Sequence, residues 1–230
     1  MWQIKNSLAV STLLSKHGVK HFTTTRQTGN TTEDSTKKEL FLSNNLTYNT
    51  FASSKQIHEN IIKIISSKNE AARYDGYDGF ITLVKGVSLG VFTADCVPVF
   101  LADKNNMVIG VLHAGWKGIK AGIVEAGIEI FKKDFDISPL NIIAGIGPHI
   151  CDKCYQVGSE FQESFPENYK NGYLNMNNEI ELRLICAGVA GASIDSAVKT
   201  EGFCTFHNND SFFSYRKNEK DRRLLSLITL

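Results

Sequence analysis

A succession of short runs of β-branched and aromatic residues between Phe80 and Gly115 constrains the fold more than any other part of the chain. The segment "FITLVKGVSLGVFTADCVPVFLAD" is interrupted by Gly86, Gly90 and Pro98, and "MVIGVLHAG" follows soon after it. Runs of this length and composition are typical of strands that are buried on both faces. The sequence therefore predicts the interior of a β-sheet in this region.

Helical spacing of apolar residues follows these strands. The segment "GWKGIKAGIVEAGIEIFKKDF" predicts a helix of about four turns, and "ELRLICAGVAGASI" predicts a second core helix. Between them, "NIIAGIGP" predicts a strand that Pro148 ends. Because the strand runs cluster rather than alternate strictly with helices, we expect an α/β (α+β) fold, a layered sandwich with a mixed central β-sheet and flanking helices.

The remaining composition indicates how the chain is organised. The stretch from Thr23 to Ser54 is rich in Thr, Asn and Ser, which predicts mainly loops. We see neither a repeat of fixed period nor a linker composition, so we expect a single domain over residues 1–230.

Charge indicates which classes of ligand to expect, and the cysteine content indicates in which compartment the protein acts. The chain has 25 Lys and Arg against 24 Asp and Glu, so no net field attracts nucleic acid or an anionic membrane, and small molecules are the expected ligands. The N-terminus does not resemble an export signal, and the five cysteines are an odd number that suits reduced thiols. We expect a cytoplasmic protein that is a monomer or a weak homodimer.

Three residues are candidates for chemistry when they are read without further context. Cys96, in "VFTADCVPVF", lies within an apolar run, where a cysteine is ordinarily a small core residue. His113 lies where a predicted strand meets a predicted helix, and α/β proteins place functional groups at such turns. His58 is a lone histidine that would ordinarily be a surface residue.

Several familiar signatures are absent from the sequence. The zinc-peptidase pattern HExxH would need a second histidine where Ile62 stands, and the nucleobase deaminase pattern fails because His149 follows Pro148. No phosphate-binding P-loop spacing is present. The pair Cys151 and Cys154 forms a CxxC, but no second pair follows at zinc-ribbon spacing, so we interpret it as structural or incidental.

Six short elements occur in one order along the chain: "QIH", "TADC", "HAGWKG", "GPHICDKCYQVG", "CTF" and "FFSYRK". On these elements the sequence resembles the laccase-domain family, also called polyphenol-oxidase-like or YfiH-type, whose members include bacterial enzymes described as purine nucleoside phosphorylases. The resemblance runs from about Gly18 to the C-terminus, and "TADC" and "HAGW" are its most specific elements.

The resemblance implies a metal site formed by His58, Cys96 and His113. Two imidazoles and one thiolate are a recognised set for catalytic zinc, because three protein ligands leave the fourth tetrahedral position open. The implied cofactor is Zn²⁺, and Cu²⁺ can bind the same ligands because divalent copper has the higher affinity. A metal would also stabilise the thiolate form of Cys96, which burial alone opposes. Cys96 and His113 would be catalytic as well.

The resemblance also implies substrate contacts from Arg26, Lys117 and Arg216. Lys117 replaces the arginine that is usual in "HAGWRG", and Arg216 is retained although the two glycines of the usual C-terminal motif are lost. Asp95 is a candidate for proton transfer and equally a candidate for a hydrogen-bonding role that fixes local geometry.

The name laccase can be tested by counting histidines. The chain has six, and two of them are used in the implied site; the remaining four are too few for the trinuclear cluster of a multicopper oxidase. We therefore do not expect copper laccase activity. The resemblance implies instead a zinc-dependent purine nucleoside phosphorylase that binds a purine nucleoside (adenosine, inosine or methylthioadenosine) and phosphate, with adenosine deamination as a further activity.

Two alternatives stay open at the level of sequence. One is a metal-free hydrolase in which Cys96 is the nucleophile and His113 is its base. The other is a hydrolase that edits peptidoglycan precursors in the cytoplasm, since bacterial relatives in this family have been linked to that role.

Overall fold

The computed structural model describes residues 1–105 and 107–230, and within them the chain forms fifteen strands and six α-helices. The strands are β1 (Trp2–Lys5), β2 (Leu8–Ser11), β3 (Lys20–Thr24), β4 (Phe51–Lys55), β5 (Ile62–Ile65), β6 (Arg73–Asp75), β7 (Gly79–Thr82), β8 (Ser88–Thr93), β9 (Val97–Asp103), β10 (Ile109–Ala114), β11 (Ile142–Ile146), β12 (Tyr169–Lys170), β13 (Tyr173–Leu174), β14 (Ile194–Ser196) and β15 (Leu224–Thr229). The helices are α1 (Thr12–Lys16), α2 (Asp34–Ser43), α3 (Trp116–Lys120), α4 (Ile123–Phe135), α5 (Phe161–Ser164) and α6 (Met176–Cys186). None of these described helices is long and apolar enough to span a bilayer.

The strands divide between two mixed sheets and one short hairpin. Sheet I has the order β1-β2-β3-β15-β8-β4-β6, sheet II has the order β14-β11-β9-β10-β7-β5, and β12 pairs with β13. In sheet II, β9 and β10 are antiparallel, with Val97 opposite Ala114 and Pro98 opposite His113. Cys96 directly precedes Val97, so this register brings Cys96 and His113 to the same end of the sheet.

Alternating side chains of the strands separate the core into layers. On β15, Leu224 and Ile228 belong to the apolar cluster between the two sheets, whereas Leu225 and Leu227 belong to the cluster under α2. The other face of sheet II packs on α4 and α6, where side chains such as Leu184 are fully buried. Burial of one such side chain contributes about 1.5–3 kcal/mol. The α/β layered sandwich is confirmed, with its strands shared between two sheets.

Both predicted core helices differ from the observed ones, the first by an internal break and the second at its ends. The first is divided into α3 and α4 at Gly122, whose φ of +87° is left-handed and interrupts the helical backbone. The second begins earlier than predicted, because the Asn175 side chain accepts a hydrogen bond from the N–H of Asn178 and caps α6. It ends at Cys186, just before the left-handed Gly188.

The prediction of mainly loops from Thr23 to Ser54 is wrong in part, because that stretch contains α2 and β4. Leu40 and Phe41 of α2 are buried against Phe22, Leu225 and other apolar residues of sheet I. Tertiary burial of these side chains therefore stabilises a helix whose polar composition gave a weak local signal.

Candidate metal centre and cavity

His58, Cys96 and His113, which we call the metal triad, converge at one end of sheet II. Their ligand atoms all lie within 4.8 Å of one another. His58 lies in the loop after β4, Cys96 lies between β8 and β9, and His113 is near the end of β10. The two imidazole rings meet edge to face, with centroids 4.7 Å apart. Three separate segments thus meet at one point, as a metal site formed by these residues requires.

The buried carboxylate of Asp78 holds two of these segments together. Its Oδ1 accepts hydrogen bonds from His113 Nδ1 at 2.8 Å and from the N–H of His58 at 2.9 Å. Its Oδ2 accepts from the N–H groups of Ile57 at 3.1 Å and Glu59 at 3.0 Å. Because a carboxylate can only accept here, His113 carries a proton on Nδ1, so Nε2 is the nitrogen that would bind a metal, in exchange for its own proton.

The electrostatics of the triad favour a thiolate. Burial acts to raise the pKa of Cys96, but the nearby charge of His113 and hydrogen bonds from both histidines outweigh it and lower that pKa to about 6. Burial acts to lower the pKa of His113, but the Cys96 thiolate and the bond to Asp78 raise it to about 9. The thiolate is the form of cysteine that binds metals.

The triad lines a cavity of about 880 Å³. Aromatic side chains contribute to its wall, namely Tyr48, Phe51, Phe92, Trp116, Tyr155 and Tyr215. Cationic side chains also line it, namely Lys37, Lys55, Arg73, Arg216 and Arg223. Flat apolar surfaces beside positive charges are suited to a ligand that combines an aromatic ring with an anionic group.

The model of the family described as multi-copper polyphenol oxidoreductase laccase matches residues 12–230 of this chain. The chain belongs to this family. Its fold is also that of the hypothetical protein YfiH of Bacillus licheniformis, whose crystal structure superposes with a TM-score of 0.88 at 22% identity, covering 100% of this chain and 98% of that one.

Curated proteins that are similar to this chain in sequence are named as enzymes. Adenosine deaminase RL5 from an unknown prokaryotic organism is 32% identical in an alignment that covers 71% of this chain and 68% of that protein. A purine nucleoside phosphorylase of Clostridium acetobutylicum is 35% identical over 76% of this chain and 74% of its own length. Another, of Bacteroides thetaiotaomicron, is 31% identical over 72% of this chain and 65% of its own length.

The described histidines of this member do not form the multicopper arrangement that the family description names. Within residues 1–105 and 107–230, the two groups of side chains that can hold a metal contain the histidines His58, His113 and His207. A multicopper oxidase needs a blue-copper site and a histidine-rich trinuclear cluster besides it. The donor set of the triad alone suits a single ion.

Arg216 and Lys117, both predicted to contact substrate, lie in different places. Arg216 lines the cavity, where its guanidinium stacks over the Tyr155 ring at 4.9 Å and donates to the carbonyl of Gln156 at 2.8 Å. Lys117 is exposed, with its Nζ 5.6 Å from the centre of the Trp116 ring, and is not among the described residues that line the cavity. Arg216 is therefore the better placed of the two cations.

Arg26, the third predicted substrate contact, forms a partly buried ion pair with Glu219 at 2.8 Å. Its remaining N–H groups donate to the carbonyls of Asn209 and Phe212. Burial acts to raise the pKa of Glu219, but hydrogen bonds from Arg26, Ser214 and Asn209 lower it to about 2. Arg26 is also outside the described lining of the cavity, and its contacts join the N-terminal and C-terminal parts of the chain.

Asp95 directs its carboxylate toward the C-terminal loops. Its Oδ1 accepts from the Thr205 hydroxyl at 2.6 Å, and its Oδ2 accepts from the Ser214 hydroxyl at 3.0 Å and the N–H of Arg216 at 2.8 Å. Its own backbone is left-handed, with φ of +81°. Of the two roles that the sequence left open, these contacts favour the one in which Asp95 is a hydrogen-bonding partner that fixes local geometry.

Asp78 is a site residue that sequence reasoning missed. It stands in "YDGYDGF", where two Asp-Gly pairs predict turns, and no local pattern separates the buried Asp78 from the exposed Asp75. The groups that bond to it are 20 residues away at His58 and 35 residues away at His113. Only the tertiary fold reveals its role.

Gly115 is a second residue that sequence reasoning missed, and it leads to a prediction. A Cβ atom there would lie 3.1 Å from Cys96 Sγ and 3.2 Å from His58 Cδ2. We expect Gly115→Ala to crowd the triad and raise the zinc Kd roughly tenfold, about 1.4 kcal/mol, in a titration against a chromophoric chelator. Because φ of Gly115 is −73°, alanine fits its backbone and the unfolding temperature should change little.

The matched control for this substitution is Gly191→Ala. A Cβ at Gly191 would make an ordinary contact of 3.9 Å with Ile185, away from the triad, so zinc affinity should stay at the wild-type value. An unchanged zinc Kd in Gly115→Ala would show that the triad does not close on a metal in this arrangement.

Proposed function

We propose that this protein is a zinc-dependent purine nucleoside phosphorylase that acts on adenosine, inosine and methylthioadenosine. The observation that carries the proposal is the convergence of the metal triad at the wall of a cavity that aromatic and cationic side chains also line. Membership of the family, and the names of the relatives from Clostridium acetobutylicum and Bacteroides thetaiotaomicron, support it.

The donor set of the triad suits zinc. Two imidazole nitrogens and a thiolate leave a fourth position, and the Nδ1–H of His113 is held by Asp78 as metal-binding histidines usually are by a carboxylate. Zinc bound there would supply a Lewis acid at the cavity wall. Copper would bind the same donors, so the cellular supply of metal also contributes to which ion is present.

The side chains of the cavity would bind and orient the two substrates. In phosphorolysis, the bond between ribose C1′ and the purine nitrogen breaks with its electron pair on the base, and a bond from a phosphate oxygen to C1′ forms. The base leaves with a proton taken from phosphate or solvent. Arg216 would offset the phosphate charge, and aromatic residues such as Trp116 and Tyr155 would stack on the base.

Adenosine deamination is a further activity that the same cavity would support. The relative named adenosine deaminase RL5 motivates it. In that reaction water replaces the amino group at purine C6, and ammonia leaves. Both activities need the same contacts to the base, so they would share the aromatic wall and differ in what attacks the nucleoside.

The proposal predicts release of hypoxanthine from inosine that depends on phosphate and yields an equal amount of ribose 1-phosphate. We expect Arg216→Gln to raise the KM for phosphate by roughly tenfold to a hundredfold, since hydrogen bonds to charged groups contribute about 1.5–3 kcal/mol. We expect Arg26→Gln to leave that KM unchanged and to lower the unfolding temperature, because its guanidinium bonds to Glu219 and to backbone carbonyls.

Each other outcome of this assay has a distinct meaning. Release of base without phosphate would indicate a nucleoside hydrolase, and release of ammonia alone would indicate a deaminase. Turnover of none of the three nucleosides by zinc-loaded protein would overturn the proposal. A rise in the phosphate KM with Arg26→Gln rather than Arg216→Gln would indicate that phosphate binds at Arg26 and not at Arg216.

A metal-free hydrolase is the second candidate, and one observation favours it. Cys96, His113 and Asp78 form a chain in which His113 Nδ1 donates to Asp78 at 2.8 Å and the pKa of Cys96 is lowered to about 6, against the opposing effect of burial, chiefly by the charge of His113. A nucleophilic cysteine with its base and orienting carboxylate has this form. Full activity after removal of all metal by a chelator would favour this candidate over the zinc enzyme.

A further inference from the structure

A second group of metal-binding side chains lies apart from the metal triad. Cys151, Cys154, Cys204 and His207, which we call the Cys3His cluster, bring four donor atoms within 4.8 Å of one another. In sequence they form a C-x2-C pair and, about fifty residues later, a C-x2-H pair. The sequence search for a second CxxC pair missed this arrangement, because the second half of the cluster ends in histidine.

The backbone around the cluster is folded as a ligand cradle. The N–H groups of Cys154 and Tyr155 both bond to the carbonyl of Cys151 at 3.0 Å, which closes the first loop tightly. Cys204 Sγ accepts from the N–H of Cys151 at 3.3 Å and from the N–H of His207 at 3.5 Å. Two N–H donors aimed at one sulfur stabilise its thiolate form, as expected of a metal ligand.

Two simpler explanations of these cysteines, inert packing and a disulfide, do not account for the whole cluster. Inert packing thiols are ordinarily buried among apolar side chains, but Cys151 and Cys154 are partly exposed, and Cys151 Sγ lies 3.8 Å from Nδ1 of the exposed His207. A disulfide would use two of the three sulfurs and leave the third beside an imidazole. Four donors around one point match a tetrahedral ion with no open position.

We propose that the Cys3His cluster binds a second zinc ion in a closed, structural site. Three cysteines and one histidine are a set that tetrahedral structural zinc uses, and soft thiolates favour zinc over magnesium or calcium. Binding the ion would release the thiol protons to solvent and leave the metal with four protein ligands. This inference does not depend on which substrate the cavity accepts.

The second zinc would hold one wall of the cavity in place. It would join the loop that carries Tyr155 to the loop that runs from Cys204 to Arg216, and Tyr155 and Arg216 both line the cavity. Thr205, directly after Cys204, bonds to Asp95 at 2.6 Å, and Asp95 is the neighbour of Cys96 in the triad. The ion would therefore act on the substrate pocket as a positioning element rather than as a catalyst.

Metal content of the whole protein tests the proposal. Protein reduced, saturated with zinc and desalted should carry about two zinc ions per chain. Cys96→Ser should remove one, and the double substitution Cys151→Ser with Cys154→Ser should remove the other. Cys186→Ser, which changes an exposed cysteine in neither group, should keep both.

Two readouts work without any variant in the cluster. In unaltered protein, Cys151 and Cys154 should react with iodoacetamide when zinc is absent and be protected when it is present, whereas Cys186 should react in both cases. Cobalt-loaded Cys96→Ser should show the strong sulfur-to-cobalt absorption of a site with several thiolates, which Cys96 itself cannot supply in that variant. These readouts keep the test valid if the double substitution fails to fold.

The results that would overturn the proposal are equally specific. One zinc ion per wild-type chain at saturation, lost entirely in Cys96→Ser, would leave no metal for the cluster. Equal alkylation of Cys151 and Cys154 with and without zinc would do the same. A mass lower by two hydrogens in protein isolated without reductant, restored on reduction, with no second zinc bound, would identify a disulfide in place of the metal.

Discussion

Replacing Cys96 with serine is expected to remove zinc from the triad and to lower kcat/KM for nucleoside phosphorolysis by roughly a thousandfold or more, about 4 kcal/mol. The serine hydroxyl does not ionise near neutral pH, so the thiolate is lost and two imidazoles remain as ligands. Metal analysis of purified protein and steady-state kinetics, measured on the same preparation, give the two values to compare.

The control for Cys96→Ser is Cys186→Ser at the exposed end of α6, which makes the same chemical change away from both metal-binding groups. It should keep full metal and activity. His58→Ala then separates the two mechanisms, because a metal needs His58 whereas a nucleophilic Cys96 paired with His113 does not. Retention of activity in His58→Ala together with its loss in Cys96→Ser would favour the metal-free hydrolase.

The strands around the triad were predictable because their signal is local. Each of β7 to β11 is a short apolar run, and the pairing of β9 with β10 places Cys96 beside His113 once both are strands. The division into two sheets was not predictable, because it depends on β15, whose partners β3 and β8 are about 200 and 135 residues away in sequence. Pairings over such distances leave no mark on local periodicity.

The site residues also differ in whether a short sequence motif or a contact with a distant residue reveals their role. His58, Cys96 and His113 stand in short motifs that resemblance could identify, whereas the role of a cation depends on what it pairs with. Arg26 forms an ion pair with Glu219, which is 193 residues later in the chain. Asp78 has no motif of its own, and its importance follows only from the four donors that surround its carboxylate.

Asp78→Asn is expected to raise the zinc Kd of the triad by roughly tenfold to a hundredfold, the usual effect of losing the carboxylate behind a metal-binding histidine. An asparagine NH2 group facing His113 donates a hydrogen bond, so Nδ1 must accept it and the imidazole proton moves to Nε2. That proton occupies the lone pair that would bind the metal. If the NH2 group faces the other way, it meets the N–H groups of Ile57 and Glu59 and leaves them without an acceptor.

Either orientation leaves a backbone N–H without an acceptor, that of His58 in the first and those of Ile57 and Glu59 in the second, so both lower stability. A matched substitution measures that loss of stability alone. Asp103 is also buried, and its carboxylate accepts from the N–H groups of Asn105, Met107 and Val108 at 2.7 to 3.0 Å, outside both metal-binding groups. Asp103→Asn should lower the free energy of unfolding by about 1–3 kcal/mol and leave zinc affinity unchanged. We expect a similar loss of stability in both variants and a loss of zinc affinity in Asp78→Asn alone. That result would show that Asp78 controls the tautomer of His113 and does not only support a loop. Equal zinc affinity in both would reduce Asp78 to that supporting role, because the imidazole would then bind metal without the carboxylate.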